Sequence, residues 1–185
     1  ATGGGLNTNR TDMATSVAAP PISVLVAGGG DTPPPPAYGT YVEVYNGSSW
    51  TEVNNISSPR YSLRGAGNSS TAAIVFGGYG PPPGNAVIAL TELYNGTNWS
   101  EVNDLNTARN SLAGDGTQTS ALAFGGETPP ASALTESWNG TNWTETGEMN
   151  TAARTLMGTG ASNTYALAIG GIDPGSSFNK TEVWN

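Results

Sequence analysis

A glycine pair that closes a short apolar run recurs four times along this chain and most constrains what it can fold into. Successive pairs lie 49, 48 and 45 residues apart in the 185-residue sequence. Four-stranded blades of β-propellers repeat at about 40–50 residues. The spacing therefore predicts an array of blade-sized repeats. The four pairs are Gly28-Gly29, Gly77-Gly78, Gly125-Gly126 and Gly170-Gly171.

The residues around these pairs predict strands, and no segment shows helical periodicity. Residues 73–76 and 120–124 are apolar runs that end at a glycine pair, which favours strands buried on both faces. Residues 111–116 are small and glycine-rich, as expected for an innermost strand where blades crowd around an axis. The Asn-Gly dipeptides favour type I′ hairpin turns, because both central residues of such turns need positive φ. They stand at 46–47, 95–96 and 139–140.

Together these patterns predict an all-β fold, a small β-propeller of four four-stranded blades in one domain. The repeats divide at approximately 6–52, 53–101, 102–145 and 146–185. The last repeat stops before its fourth strand. We expect residues 1–5 to complete that blade and close the ring, since an open sheet edge invites unwanted pairing. The alternative is that a neighbouring chain or further sequence supplies the strand, which would make the protein an oligomer or part of an assembly.

The order of motifs within a repeat is also informative. In the third repeat the glycine pair is followed by Trp138, by Trp143 five residues later and then by Arg154. This order resembles the kelch repeat over the whole chain, except that the His often found after the kelch Arg is absent. The segments Phe-Gly-Gly at 124–126 and Leu-Asn-Thr-Ala-Arg at 105–109 are similar, in addition, to kelch-type arrays in virion proteins of marine bacteriophages.

Seven aromatic residues at repeat positions are expected to be structural. Large rings that pack where neighbouring blades face each other would bury much apolar area. The alternative is that they form a platform for sugar rings. The set consists of Tyr45, Tyr94, Trp138 and Trp184, together with Trp50, Trp99 and Trp143.

The sequence indicates that four of the six basic residues are arginines at one repeat position. The kelch resemblance implies that they form a ring of guanidinium groups near the loop-bearing rim of the axial channel. Such a ring would bind an anionic ligand, an acidic sugar or a carboxylate-rich peptide, through bidentate hydrogen bonds. The alternative is that each arginine satisfies a loop carbonyl or pairs with a neighbouring glutamate. The four are Arg10, Arg60, Arg109 and Arg154.

The loops after the glycine pairs vary in length and sequence while the frame repeats. Proline runs stiffen several of them, and Tyr38, Tyr79 and Phe178 lie within them. Variable loops on a regular scaffold are where recognition is usually located. These three aromatic residues are therefore candidate ligand contacts beside the arginines. The alternative is that the loops are simple solvated linkers.

The composition argues against several classes of function. The chain has no His and no Cys, so it lacks the commonest general base and the thiolate ligands of metal centres. A net charge of −8 with six basic residues argues against nucleic acid as a partner, and no apolar run is long enough to insert in a membrane. Repeated glutamates such as Glu136 and Glu145 recur as scaffold features and not as one catalytic pair. We therefore expect no enzymatic activity, no cofactor and no metal.

The expected function is that of a non-enzymatic structural or binding module. The phage resemblance implies a virion surface protein, such as a capsid decoration or fibre appendage, whose partners are other virion proteins. A lectin-like adhesion module that binds host-surface glycans is the alternative, because four similar blades offer repeated sites and hence avidity. A kelch adaptor for protein interactions is a third option. The expected location is a virion surface or the extracellular space.

Overall fold

The computed structural model of the chain describes residues 4–18, 23–30, 38–81, 86–173, 176–177 and 179–185. These residues form β-strands and no helix, and so no helix long and apolar enough to cross a membrane. Three antiparallel sheets have four strands each, the fourth has three, and a short hairpin lies in the last repeat.

Blade one contains β1 (Ala14–Ala18), β2 (Ser23–Ala27), β3 (Val42–Tyr45) and β4 (Trp50–Val53). Blade two contains β5 (Arg64–Ser69), β6 (Ala72–Phe76), β7 (Thr91–Tyr94) and β8 (Trp99–Glu101). Blade three contains β9 (Ala113–Thr117), β10 (Ser120–Phe124), β11 (Thr135–Trp138) and β12 (Trp143–Glu145). Blade four contains β13 (Met157–Ser162), β14 (Tyr165–Ile169) and β17 (Thr181–Trp184), and the hairpin is β15 (Ile172–Asp173) with β16 (Ser176–Ser177).

The Asn-Gly dipeptides form hairpin turns, but not of the predicted type I′. Between β7 and β8 the loop has four residues, 95–98, closed by a hydrogen bond from the Asn95 N–H to the Asn98 carbonyl. Gly96 has a φ of 92°, whereas Asn95 is not among the residues with positive φ. The Asn95 side chain instead accepts hydrogen bonds from the N–H groups of Thr97 and Asn98, at 2.9 and 2.8 Å. The turn is therefore stabilised by the Asn95 side chain, and not by positive φ at both residues as predicted.

The sheets are arranged as the blades of a four-bladed β-propeller, which confirms the predicted fold class. The innermost strands β1, β5, β9 and β13 pack side by side in chain order. Thr15, Gly65, Gly114 and Gly158 occupy equivalent positions on these strands and line an axial cavity of 370 Å³. A Cβ atom added at Gly114 would lie 2.4 Å from Cζ of Phe76. The glycine-rich inner strands therefore reflect the crowding expected near the axis.

The glycine pairs are the junctions between blades. All eight glycines have positive φ, between 63° and 116°, a region that other residues rarely adopt. In the first three pairs the N–H of the second glycine donates to a backbone carbonyl of the following blade. These bonds run from Gly29 to Arg60, from Gly78 to Arg109 and from Gly126 to Ala153, at 3.0, 2.9 and 2.8 Å.

The hydrophobic core is divided into three clusters, one between each two successive blades. In the first cluster Leu25 and Ala27 of blade one pack with Ala73 and Val75 of blade two. Equivalent clusters join blades two and three, and blades three and four. Among the described residues, β13 and β1 do not pack against each other as the other neighbouring inner strands do.

The N-terminal segment does not complete the last blade in the part of it that the structure describes. Gly4 lies against Ser49 of blade one, and its carbonyl accepts a 3.1 Å hydrogen bond from the indole N–H of Trp50. A little further along, the Asn7 N–H donates to the Glu43 carboxylate at 2.7 Å. The Gly4 contact is equivalent to the one that Asn54, the residue after β4, makes with Trp99 of blade two at 2.9 Å. A closing strand equivalent to β4 would therefore fall on residues 1–3, which lie outside the described residues, and its formation stays a prediction.

Candidate functional site

Three of the four predicted arginines lie inside the blades, paired with glutamates. Nη2 of Arg60 donates to Oε1 of Glu92 at 2.8 Å, and their side chains are 0 and 1% exposed. The other two pairs have the same arrangement. They are Arg10 with Glu43 at 2.8 Å and Arg109 with Glu136 at 3.0 Å. These three guanidinium groups pair with glutamates, as the alternative interpretation predicts, and are not presented to a ligand at the rim.

Backbone groups complete each pair. Nη1 of Arg109 donates to the carbonyl oxygens of Gly125 and Leu134, at 2.8 and 2.7 Å. Oε2 of Glu136 accepts the N–H of Asn106 at 2.7 Å. Burial lowers the pKa of the Arg109 guanidinium, and the nearby Glu136 carboxylate opposes that shift. The Nε of Arg109 is buried with no hydrogen-bond partner among the described residues. The other charge-assisted hydrogen bonds of the pair fix the loop before the inner strand to the body of the blade.

Arg154 is the exception, because it does not occupy the repeat position of the other three. Its Nε lies 3.1 Å from Oε2 of Glu127, and its side chain is 41% exposed. Ala153 occupies that position instead. Its carbonyl accepts the N–H of Gly126, as the Arg109 carbonyl accepts the N–H of Gly78. The prediction that all four arginines share one position is therefore wrong for Arg154.

A substitution in the last repeat causes this difference, because Ala153 occupies the arginine position and Arg154 stands one place later. No residue is inserted, since Met149 and Leu156 are seven positions apart, as Leu105 and Leu112 are in the third repeat. Glu182, the fourth-blade member of the paired glutamates, consequently has no arginine partner among the described residues. Its carboxylate accepts the backbone N–H groups of Asn150 and Thr151, at 2.7 and 3.1 Å. Among the described residues, the alanine at position 153 thus leaves the interior of blade four without this charge pair.

The repeat aromatics form one close pair in each of the first three blades. Trp138 and Trp143 are buried in the core between blades two and three. Their indole N–H groups donate to the Gln118 carbonyl and the Thr91 hydroxyl, at 3.0 and 3.1 Å. These two rings are therefore engaged in the scaffold. The ring centroids are 5.2 Å apart for Tyr45 and Trp50, 4.9 Å for Tyr94 and Trp99, and 5.3 Å for Trp138 and Trp143.

Tyr61, the residue after Arg60, contacts residues of two loops on one rim of the propeller. Tyr61 forms a backbone bridge with Tyr79, and Tyr38 lies beside them from the first loop. The ring centroid of Tyr61 is 5.2 Å from that of Tyr38 and 5.3 Å from that of Tyr79, on which it stacks at 20°. We call these three half-buried residues the tyrosine cluster. Tyr38 and Tyr79, two of the predicted ligand contacts, therefore both lie against the Tyr61 ring. The third predicted contact, Phe178, lies outside the described residues.

Sequence reasoning overlooks Tyr61, because no motif marks its position. The equivalent residues in the other repeats are Thr11, Asn110 and Arg154. What distinguishes the Tyr61 position in the sequence is that its residue differs in every repeat, whereas the residues around it recur. Burial raises the pKa of Tyr61, and the neighbouring Tyr38, Tyr79 and Asp12 add to that shift.

Asp115 is the acidic residue that lines the inner part of the axial channel. With Gly114 and Gly158 it borders a cavity of 250 Å³. The N–H of Gly116 donates to Oδ1 of Asp115 at 2.6 Å. Burial raises the pKa of the Asp115 carboxyl, and this hydrogen bond opposes the shift.

Replacing Asp115 with Asn is expected to stabilise the protein near neutral pH. A carboxyl whose pKa is raised by folding ionises in an unfavourable site, so its charge reduces stability once the pH rises through that pKa. Asn keeps an oxygen that accepts the Gly116 N–H. Thermal unfolding should show a higher Tm for the variant at about pH 7, with a gain that shrinks as the pH falls from the raised pKa towards 3.8, the ordinary aspartate value, and disappears below it. A gain that is the same at both pH values would contradict this explanation.

No relative of this chain is found among the protein-family models or the curated proteins. The kelch and phage resemblances therefore rest on the motifs of this sequence alone. Among the described residues, no group of three or more His, Cys, Asp or Glu side chains could hold a metal ion.

Proposed function

We propose that the chain is a non-enzymatic structural module, displayed on a virion surface as a capsid decoration or fibre component. The observation that carries this proposal is that charged residues recurring in the blades are engaged inside the scaffold. Arg60 and Glu92, for example, are 0 and 1% exposed and bind each other. A charge buried in this way is tolerated when it is paired, and here the pairing holds a loop to a sheet. The virion setting rests on the resemblance of the repeats to phage arrays.

The environment of the glutamates supports a role without catalysis. A glycosidase needs two carboxyl groups about 5–10 Å apart, both in reach of the substrate. Glu92 and Glu136 are each 1% exposed and accept hydrogen bonds from an arginine and from backbone N–H groups. They are thus occupied by structural contacts. The chain also has no His or Cys to serve as base or nucleophile.

A lectin-like adhesion module is the second candidate, and the tyrosine cluster favours it. Its three half-buried rings combine apolar faces with hydroxyl groups on one rim. Aromatic side chains with a polar end suit the apolar faces and hydroxyl groups of sugars. The partners in this case are host-surface glycans.

A glycan-array screen of the purified chain separates the two candidates. The wild type is compared with Tyr61→Ala and with Tyr41→Ala, which removes a 44% exposed ring from blade one. A structural module is expected to show no selective binding in any of the three proteins. A lectin is expected to bind selectively, at least about tenfold more weakly in Tyr61→Ala, or 1.4 kcal/mol, and unchanged in Tyr41→Ala. The second result would overturn the structural proposal, and silence from a folded chain would overturn the lectin.

A further inference from the structure

Blade four ends in an apolar face that has no partner among the described residues. Met157, Tyr165, Ile169 and Val183 are 72, 66, 38 and 60% exposed. The strand register places Met157 opposite Ile169, and Leu167 opposite Val183. Because side chains alternate along a strand, all five residues lie on one side of the sheet. We call this surface the trailing face.

The trailing face occupies the position that each preceding blade buries. Its counterparts in blade one, Leu25 and Ala27, are fully buried in the core shared with blade two. In blade three the counterparts Leu122 and Phe124 belong to the core shared with blade four. Each of the first three blades therefore packs this side on its successor, and no described residue covers the same side of blade four. Scattered exposed apolar residues are ordinary, but a contiguous apolar surface marks an interaction site.

Blade one carries the complementary surface, which we call the leading face. It consists of Met13, Val24 and Tyr45, and each of these side chains is only half-buried. The counterparts of these residues in blade two are at most 2% exposed in the core between blades one and two. They are Leu63, Ala73 and Tyr94. Both halves of a fourth blade interface are thus present in one chain.

The backbone groups at the two ends are complementary as well. The N–H groups of Ser62, Ser111 and Thr155 each donate to the equivalent residue one blade earlier, at 2.9, 3.0 and 2.7 Å. In the described part of the chain, the Asp12 N–H at the start of this series and the Thr155 carbonyl at its end have no backbone partner. The Gly171 N–H, equivalent to the donors at the three glycine junctions, likewise has no described backbone acceptor.

We propose that the chain associates head to tail, the trailing face of one copy packing on the leading face of a second copy. Gly171 would donate to the Arg10 carbonyl of the second copy, and Asp12 of that copy to the Thr155 carbonyl. The occupant is a second copy because one chain presents both halves of an interface that it forms three times internally. Since the two faces are different surfaces, the contact is heterologous and leads to closed rings or filaments. This inference goes beyond the proposed function and does not depend on the virion setting.

Sedimentation velocity of the purified chain over a concentration series tests the proposal. We expect species larger than the 18.8 kDa monomer, increasing with protein concentration. They should also increase with salt, which screens the repulsion between copies of net charge −8. Val183→Asp places a charge in the trailing face and should weaken association by at least about tenfold. Thr144→Asp adds the same charge at an exposed position of β12 and should associate as the wild type does.

Mixing two variants tests the direction of the contact. Val24→Asp disables the leading face and Val183→Asp disables the trailing face, so an equimolar mixture should form dimers that neither variant forms alone. Circular dichroism and thermal melting establish whether both variants are folded. If Val24→Asp is unfolded, the comparison of Val183→Asp with Thr144→Asp tests the proposal without it. A wild-type chain that stays monomeric at about 1 mM, where even weak interfaces associate, would overturn the proposal. Association that Val183→Asp leaves unchanged would overturn it too.

Discussion

Replacing Arg109 with Ala is expected to destabilise the protein by about 3–5 kcal/mol, because removing one partner of a buried ion pair leaves the other uncompensated. The Glu136 carboxylate, 1% exposed, would lose the guanidinium that lies 3.0 Å away. The carbonyls of Gly125 and Leu134 would lose their donor at the same time. Urea unfolding followed by tryptophan fluorescence measures the loss. For a domain of this size each kcal/mol corresponds to about 2–4 °C in Tm.

Arg154→Ala is the matched control, since it removes the same side chain from a pair that is 41% exposed on the arginine side. Exposed pairs contribute about 0–1 kcal/mol, so this variant should unfold close to the wild type. Equal losses in the two variants would refute the difference in burial as the cause. A second readout is the double variant. Adding Glu136→Gln removes the unpaired buried charge and should recover part of the stability that Arg109→Ala loses at pH 7.

The four-bladed fold is predictable from the sequence because its determinants are local and repeated. Each glycine pair needs positive φ at a junction where the next blade approaches closely, so the same constraint recurs four times. The apolar runs before the pairs form β2, β6, β10 and β14, the second strand of each blade, for the same reason. An error in the interpretation of one repeat is corrected by the other three.

The placement of single side chains is less predictable, as the arginines illustrate. Motif matching accepts an arginine that stands one position later, but in the structure Ala153 takes the interior position and the side chain of Arg154 is 41% exposed. The burial of Glu136 was in principle predictable. Residues two apart on a strand point to the same side, and Trp138, two residues later, was already expected between blades.

Ring closure and the tyrosine cluster depend on non-local geometry. The angle between blades is set jointly by the side-chain volumes in all three interblade cores, and no single motif encodes it. Gly4 contacts Trp50 of blade one as Asn54 contacts Trp99 of blade two, so the repeat determines this local contact but not the angle at which blades four and one meet. The cluster likewise joins Tyr38 to Tyr61 from different blades, a contact that no spacing along the chain indicates.

Gly125→Ala is expected to destabilise the protein by about 2–5 kcal/mol, because two independent costs add. Gly125 has a φ of 63°, and this left-handed conformation costs an L residue about 1–2 kcal/mol. The new Cβ would also lie 2.6 Å from the Ala153 carbonyl oxygen and 2.3 Å from Cδ1 of Leu156. Overpacking of this kind costs about 1–3 kcal/mol. The Ala153 carbonyl cannot withdraw without loss of its 2.8 Å hydrogen bond from Gly126.

Gly147→Ala supplies the comparison for this junction. Gly147 is not among the residues with positive φ, and the nearest atom to an added Cβ is 3.7 Å away in the Trp184 ring. Its urea unfolding should stay within about 0.5 kcal/mol of the wild type, and an equal loss in both glycine variants would disprove the argument from φ and contact. Hydrogen exchange localises the damage: Gly125→Ala should speed exchange first in β13, β14 and β17, while β1–β8 remain protected. Blade four is the part released because, among the described residues, it is held to the rest of the propeller through a single core cluster, the one it shares with blade three.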